Sequence, residues 1–529
     1  MTLSIAELDA KIQTLGDIPR VYTDEQPDAK AMKFEGRISN YAQLEQRTNQ
    51  VANALSATGA KKGARVGYLA KNSDLYFELL FGAAKMGAVT LPIGWRLAPA
   101  EIAHILDDGE VSLLFVGAEF NELADSAIKL LGREIRIIDL ETSSNDGFTA
   151  WRDQESVEDP GITIEPSDTA LQLYTSGTTG RPKGVMLTHK NVLELWVNAG
   201  KLDLHWNRWT DDDVCLVAMP LSHIAGTGWG VVGLLNGAGL IILREFDPQI
   251  VLKLMEPEGI SKMLMVPAAL NFLLQMPGAR DVDYSRLKLI FYGASPIPLD
   301  LLRQSMDVFG CDFCQQYGMT ETCGTVVYLP PEDHDPNGND RMRSAGRAMP
   351  GVEIKVIDSE GRSLPPGQVG EITTRSSSNM AGYWNNEVAT KSTIDDEGWL
   401  LTGDAGYLDE DGYLFIHDRV KDMIISGAEN IYPAEVESAM FGHPDIAEVA
   451  VIGIPDDKWG EAVKAVVALK PGAAADQTGI LEFTRSRIAA YKVPKSVDFV
   501  DALPRNASGK VLKRTLREPY WAGKKRNVN

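Results

Sequence analysis

From Arg65 to about Leu140, short apolar runs alternate with amphipathic stretches, and this alternation restricts the fold more than any other feature of the chain. Val66-Gly67-Tyr68-Leu69, Val111-Ser112-Leu113-Leu114-Phe115-Val116 and Ile135-Arg136-Ile137-Ile138 have strand length and little charge. Asp74 to Met86, Pro99 to Asp107 and Asn121 to Leu131 have helical spacing. Strands and helices in alternation predict a largely parallel sheet covered by helices. The rhythm resumes from Leu171 to Gly318, with strands expected at Val214 to Ala218, Leu240 to Leu243, Met263 to Val266 and Leu287 to Tyr292. The fold class is therefore α/β, with two sandwich lobes expected over about residues 1–170 and 171–342.

The texture changes after Arg343. Short alternating strands such as Val352-Glu353-Ile354-Lys355-Val356, and turns such as Asp409-Glu410-Asp411-Gly412, predict a small antiparallel, β-barrel-like subdomain over about 343–420. After Asp418-Arg419-Val420-Lys421-Asp422 the pattern restarts as mixed α+β, so 421–529 reads as a separate C-terminal domain and 1–420 as the large N-terminal one. A chain of 529 residues exceeds what one core can organise.

A formal charge of -21 argues against nucleic acid or an anionic membrane as partner, and requires a local positive field wherever a nucleotide binds. Four cysteines and no charged-then-apolar leader at the start point to a reducing, cytoplasmic setting. Cys311 and Cys314 have metal or redox spacing, but no second pair accompanies them, and strand positions three apart face opposite sides. Ile224 to Leu243 lacks charge and is long enough to span a bilayer. Six glycines and Asn236 divide it, and a short helix near Gly228 to Leu235 followed by a strand from Gly239 to Leu243 is the reading taken, with no integral membrane segment.

Directly after Ala170-Leu171-Gln172-Leu173 comes Tyr174-Thr175-Ser176-Gly177-Thr178-Thr179-Gly180-Arg181-Pro182-Lys183-Gly184. Gly177 and Gly180 allow backbone N–H groups to converge on an anion, the hydroxyls of Thr175, Ser176, Thr178 and Thr179 add donors, and Lys183 adds a mobile cation. A polyphosphate is the expected ligand, with a polar surface turn as the plainer alternative. The spacing is not that of a Walker loop, and Pro182 would break the helix such a loop opens into.

With this loop, seven further patterns fall into order: Pro220-Leu221-Ser222-His223, Tyr292-Gly293-Ala294-Ser295-Pro296, Tyr317-Gly318-Met319-Thr320-Glu321, Gly382-Tyr383-Trp384, Thr402-Gly403-Asp404, Asp418 to Ile424, and Pro504-Arg505-Asn506-Ala507-Ser508-Gly509-Lys510. Together they resemble the acyl-adenylate-forming superfamily of acyl- and aryl-CoA synthetases, luciferases and peptide-synthetase adenylation domains. The pattern is most similar to fatty-acid–CoA ligases and extends from about Tyr41 to Arg517.

The resemblance implies roles. Glu321 would hold Mg²⁺ brought with ATP, Thr320 would touch the α-phosphate, and Thr175 to Lys183 would handle the outer phosphates. Tyr317 with Gly318 would stack adenine against the Gly293-Ala294-Ser295 turn, while Asp404 and Arg419 would hold the ribose. Taken alone, Tyr317 reads as a core aromatic and Asp404 as a turn residue. Lys510 would bridge the carboxylate and the α-phosphate. Lys421 would be the hinge of a mobile C-terminal lid, whose Gly427 and Ala428 would line the CoA tunnel; many relatives carry a second glycine at the Ala428 position. His223 would guard the acyl pocket, with Ile224, Gly226 and Gly228 leaving room beside it; Trp229, Pro267 and Cys323 either line that pocket or pack the core.

The chain is thus expected to be an ATP-dependent acyl-CoA synthetase that acts on an apolar acid of medium or long chain, with ATP, the acid and CoA as its small-molecule partners. The sequence also leaves room for a homo-oligomer. An aryl or phenylpropenoic acid is the alternative substrate. A luciferase-like oxygenase and a silent nucleotide sensor are the other readings of the same motifs.

Overall fold

Helix Asp74–Met86 is buried on every side and packs against strands Val89–Pro92 and Lys30–Phe34, one from each of the two large sheets. Its charged residues are paired: Asp74 with Arg37 at 2.6 Å, Glu78 with Arg47 at 3.2 Å and with Arg152, and Lys85 with Glu45 at 2.6 Å. Pairing is what makes such burial tolerable. On one side the helix packs against helix Tyr41–Ala57. On the other, the Phe77 ring lies against helix Ile224–Leu235 where only glycine fits, since a Cβ on Gly230 would stand 2.3 Å from Phe77 Cζ.

The computed structural model describes residues 3–142, 147–176, 181–202, 204–419, 422–426, 429–505 and 511–522. One sheet has seven strands in the order Gly382–Tyr383, Pro182–Thr188, Thr169–Ser176, Val89–Pro92, Arg65–Leu69, Leu113–Val116, Arg136–Asp139. It is parallel from Thr169–Ser176 onward. A second sheet has nine strands, from Arg347–Ala348 through Gly324–Leu329, Asp312–Met319, Leu289–Gly293, Lys262–Met265, Val214–Val217, Gly239–Ile242 and Lys30–Phe34 to Arg37–Asn40. Its centre is parallel and its two edges antiparallel.

Chain order and sheet membership therefore part company. The expected lobes of about 1–170 and 171–342 need correction, because residues 169–188 complete the first sheet while residues 30–40 close the second. Short apolar runs announce strands but not their neighbours, and chain position does not supply them.

Strands Glu353–Ile357, Gly370–Arg375, Leu400–Leu408 and Leu414–Arg419 form a four-stranded antiparallel sheet, the expected β subdomain. Beyond it, Glu429–Ile431, Ile424–Ser426, Gly460–Leu469, Ile446–Asp456 and Ser496–Phe499 build a last sheet with helices Pro433–Phe441, Gln477–Arg485 and Lys513–Trp521, the expected α+β arrangement. Residues 224–243 resolve into helix Ile224–Leu235 and strand Gly239–Ile242, and no helix among the described residues is long and apolar enough to cross a membrane. All four cysteines are free, and Cys314 is buried within strand Asp312–Met319.

Candidate active site

The two ends of the Tyr174 to Gly184 run pair as the end of a hairpin. Strand Thr169–Ser176 returns as Pro182–Thr188 with Thr175 opposite Lys183, so Pro182 opens a strand where a Walker loop would open a helix. At this end Thr175 Oγ1 donates to Glu321 Oε1 at 3.3 Å, and the Tyr383 hydroxyl donates to the same oxygen at 2.9 Å. Lys183 Nζ lies 4.5 Å from the Tyr383 ring centroid. Glu321 is buried in the short 3₁₀ turn Thr320–Thr322, and its carbonyl accepts from Met380 N at 2.8 Å. Three distant segments thus bring a carboxylate, a cation and two hydroxyls to one place. Tyr383 stands in the Gly382-Tyr383-Trp384 motif, but the sequence alone gives it no role; its place between Glu321 and Lys183 exists only once residues 382–383 pair with strand Pro182–Thr188.

Two residues expected to hold the nucleoside meet across two sheets. The Tyr317 hydroxyl donates to Asp404 Oδ2 at 2.6 Å, and Asp404 N is held by Thr402 Oγ1 at 3.1 Å. Asp404 stands opposite Arg419 in its strand pair, which places both expected ribose contacts in register. The turn after strand Leu289–Gly293 is built on two backbone constraints. A side chain on Gly293 would place Cβ 2.1 Å from the Gln316 carbonyl, and Ala294 takes the left-handed conformation with φ of +65°. A non-glycine residue there costs about 1–3 kcal/mol, the kind of strain that concentrates at ligand sites. Ala294 and Ser295 are exposed. Gly318 is equally constrained, with a Cβ falling 1.6 Å from the Gly324 carbonyl oxygen.

His223 caps helix Ile224–Leu235 through its backbone position, and its ring is neutral: burial, aided by nearby Arg96, lowers its pKa to about 4. Its Nε2 is buried with no hydrogen-bond partner. Around it the glycines divide. A Cβ on Gly228 would meet nothing nearer than Ile224 Cδ1 at 3.5 Å, whereas one on Gly226 would stand 2.3 Å from the Pro220 carbonyl. Gly228 therefore leaves space beside Ile224, and Gly226, expected to do the same, is a close-packing residue instead. Ile224 also faces Gly324, 3.6 Å from its Cβ position.

Trp229, an expected pocket residue, belongs to the core. Its ring packs on Phe291 at 5.1 Å and Trp209 at 5.9 Å, and its Nε1 donates to Leu216 O at 3.0 Å. The reason is helical spacing, which turns position 229 away from the face shared by 224 and 228. Pro267 is buried in the first turn of helix Pro267–Gln275. Cys323 sits at φ of +54° next to Gly324, with burial pushing its thiol up to about 12, so it is protonated and packed.

Several expected site residues lie outside the described residues: Gly177, Thr178, Thr179 and Gly180 of the loop, Lys421, Gly427, Ala428 and Lys510. The same holds for the side chains of Ser176 and Arg419.

A family model described as AMP-binding enzyme matches residues 20–384, and one described as AMP-binding enzyme C-terminal domain matches residues 435–510. The fatty acid–[acyl-carrier-protein] ligase ScoC of Streptomyces coeruleorubidus is 40% identical over 520 residues, 98% of this chain and 99% of that protein. A feruloyl-CoA synthase of an Amycolatopsis species is 38% identical over 96% of this chain and 99% of its own length. Among solved structures, ATP-bound MatB from Rhodopseudomonas palustris superposes with a TM-score of 0.86 at 32% identity, covering 96% of this chain and 99% of that one.

Proposed function

The chain belongs to the AMP-binding enzyme family as an AMP-forming carboxylate–CoA ligase, and we propose that it activates an apolar acid of medium or long chain through an acyl-AMP intermediate. The carboxylate oxygen attacks the α-phosphorus of ATP and pyrophosphate leaves; the thiolate sulfur then attacks the acyl carbon and AMP leaves. The observation that carries this reading is the meeting of Thr175 and Tyr383 on Glu321 Oε1, with Lys183 beside them.

Glu321 fits a nucleotide-borne Mg²⁺. Both of its side-chain hydrogen bonds among the described residues fall on Oε1, which leaves Oε2 for a cation. No cluster of three acidic, His or Cys ligands occurs among the described residues, as suits a cation held largely by phosphate oxygens and water. When bound, Mg²⁺ neutralises charge that builds on the phosphates during attack. The protein's own residues do the positioning: Thr175 and Lys183 hold the outer phosphates, Tyr317 supports the base, and Asp404 accepts from the ribose. Such fixed donors and charges are the main source of rate in phosphoryl-type transfer. Thr320 faces the α-phosphate and Lys510 joins the two anions. Lys421 is the hinge, and Gly427 and Ala428 line the path to the thiol.

A second acid class is supported by an aromatic patch in which Trp206 lies 5.8 Å from Phe291 and 5.0 Å from Tyr328. An aryl or phenylpropenoic acid matches such aromatic surroundings. The test is a pyrophosphate-release screen over aliphatic and aryl acids with ATP and Mg²⁺, run with CoA and, in parallel, with a holo acyl carrier protein as acceptor. Acid-dependent pyrophosphate and CoA-dependent thioester are the expected results; pyrophosphate release without any acid dependence overturns the reading.

A further inference from the structure

Gln316 lies in strand Asp312–Met319 with Gly293 on one flank and Tyr328 on the other. Strand side chains alternate, so Gln316 faces away from the side on which Tyr317 meets Asp404 and shares its face with Cys314. That face lies under helix Ile224–Leu235: Cys314 pairs with Phe291, whose ring touches Trp229 of the helix. The same helix carries Ile224 and the open position at Gly228. Ile224 lies 3.6 Å from the Cβ position of Gly324, and the next residue, Thr325, bonds the Gln316 amide, so Gln316 lies on the acyl side of the sheet.

Its amide is oriented and incomplete. Thr325 Oγ1 donates to Gln316 Oε1 at 2.9 Å, which fixes the plane, while Nε2 is buried and has no partner. Beside it, across the strand pair, the Tyr328 ring lies 5.0 Å from that of Trp206. The Nε1 of Trp206 is likewise buried without a partner. A buried N–H left unpaired is costly, and packing alone gives no reason to keep two of them in one aromatic patch. Both groups are neutral donors. They suit a neutral acceptor and not a second carboxylate, which would be desolvated here without a countercharge.

We propose that the acid selected by this enzyme carries a hydrogen-bond-accepting oxygen (ether, carbonyl or hydroxyl) on its apolar body, and that Gln316 reads it. The inference rests on the ligase reading and narrows its substrate class. It also departs from the plain aliphatic acid expected from the sequence.

The experiment measures acid-dependent pyrophosphate release for matched acids with and without one oxygen: phenylpropenoic acids with and without a ring hydroxyl or methoxy group, and medium-chain acids with and without a mid-chain carbonyl. For at least one pair the parent enzyme should favour the oxygenated member by about tenfold or more in kcat/KM, because a site built to donate rejects the analogue lacking an acceptor. Gln316→Leu should bring that ratio close to one, and Thr325→Val, which frees the amide plane, should lower it part of the way. If Gln316→Leu does not fold, Thr325→Val decides. Equal kcat/KM for both members of every pair in the parent, or variants that slow both members by one factor, overturn this inference alone. A panel in which no acid releases pyrophosphate overturns the ligase reading and this inference with it.

Discussion

The Tyr317 hydroxyl donates to Asp404 Oδ2 at 2.6 Å, so the residue on which a base would stack and the one that would hold its sugar are a single hydrogen-bonded unit spanning the nine-stranded sheet and the antiparallel subdomain. Tyr317→Phe keeps the ring and deletes the donor. A hydrogen bond to a charged group contributes about 1.5–3 kcal/mol, so KM for ATP should rise by roughly tenfold or more, with little change in the acids accepted. An unchanged KM for ATP would show that Asp404 is positioned without Tyr317.

Lys510→Ala should disable acyl-AMP formation and largely spare conversion of supplied acyl-AMP to the thioester. Removing one donor to the developing charge typically costs about 2.7–4 kcal/mol, a hundredfold to a thousandfold in rate. Single-turnover assays of each half-reaction separate the two, and equal loss in both would remove the role given to this lysine.

Gly226 and Gly228 make a paired test of the acyl pocket. Gly228→Leu fills space next to Ile224 and should penalise long acids relative to short ones, with overpacking worth about 1–3 kcal/mol. Gly226→Ala drives a methyl against the Pro220 carbonyl and should lower the thermal midpoint whatever acid is tested. If kcat/KM falls uniformly across acid lengths in the Gly228 variant, that position is core and not pocket.

Three histidines give a pH signature. Burial is the first cause that holds His189, His223 and His334 to about 4, below the ordinary value near 6.5. The unfolded chain binds more protons than the folded one between those limits, so stability is full above about pH 6.5 and is lost as pH falls toward 4. His189 accepts from Leu15 N at Nδ1, a bond that fits the neutral ring. The urea midpoint should therefore drop between pH 7 and pH 5, and His189→Gln should lessen the drop. An identical drop in that variant would show that His189 does not contribute to it.

Legibility in the sequence followed the range of the interaction. Helices Asp74–Met86 and Asn121–Leu131 appear with their expected limits, because caps and periodicity are local. The Tyr174 to Gly184 run, the Gly293-Ala294-Ser295 turn and the Tyr317 to Glu321 run are readable as motifs, though not the hairpin pairing of the first. Tyr383 and Gln316 were not assigned, since one acts on Glu321 through strand pairing and the other owes its surroundings to cross-strand register. Gly226 and Gly228 are the same letter in the sequence, and only the Pro220 carbonyl tells them apart.

The pairing of Lys30–Phe34 with Gly239–Ile242 sets a timetable for synthesis. Met32 leaves the ribosome as the partner-to-be of Leu240, a residue roughly two hundred positions later. At about 5–20 residues per second that interval is about 10–40 s. During it the hairpin of residues 30–40 has one edge without its neighbour, and the nascent chain depends on keeping that edge from other strands until the centre of the second sheet has been made.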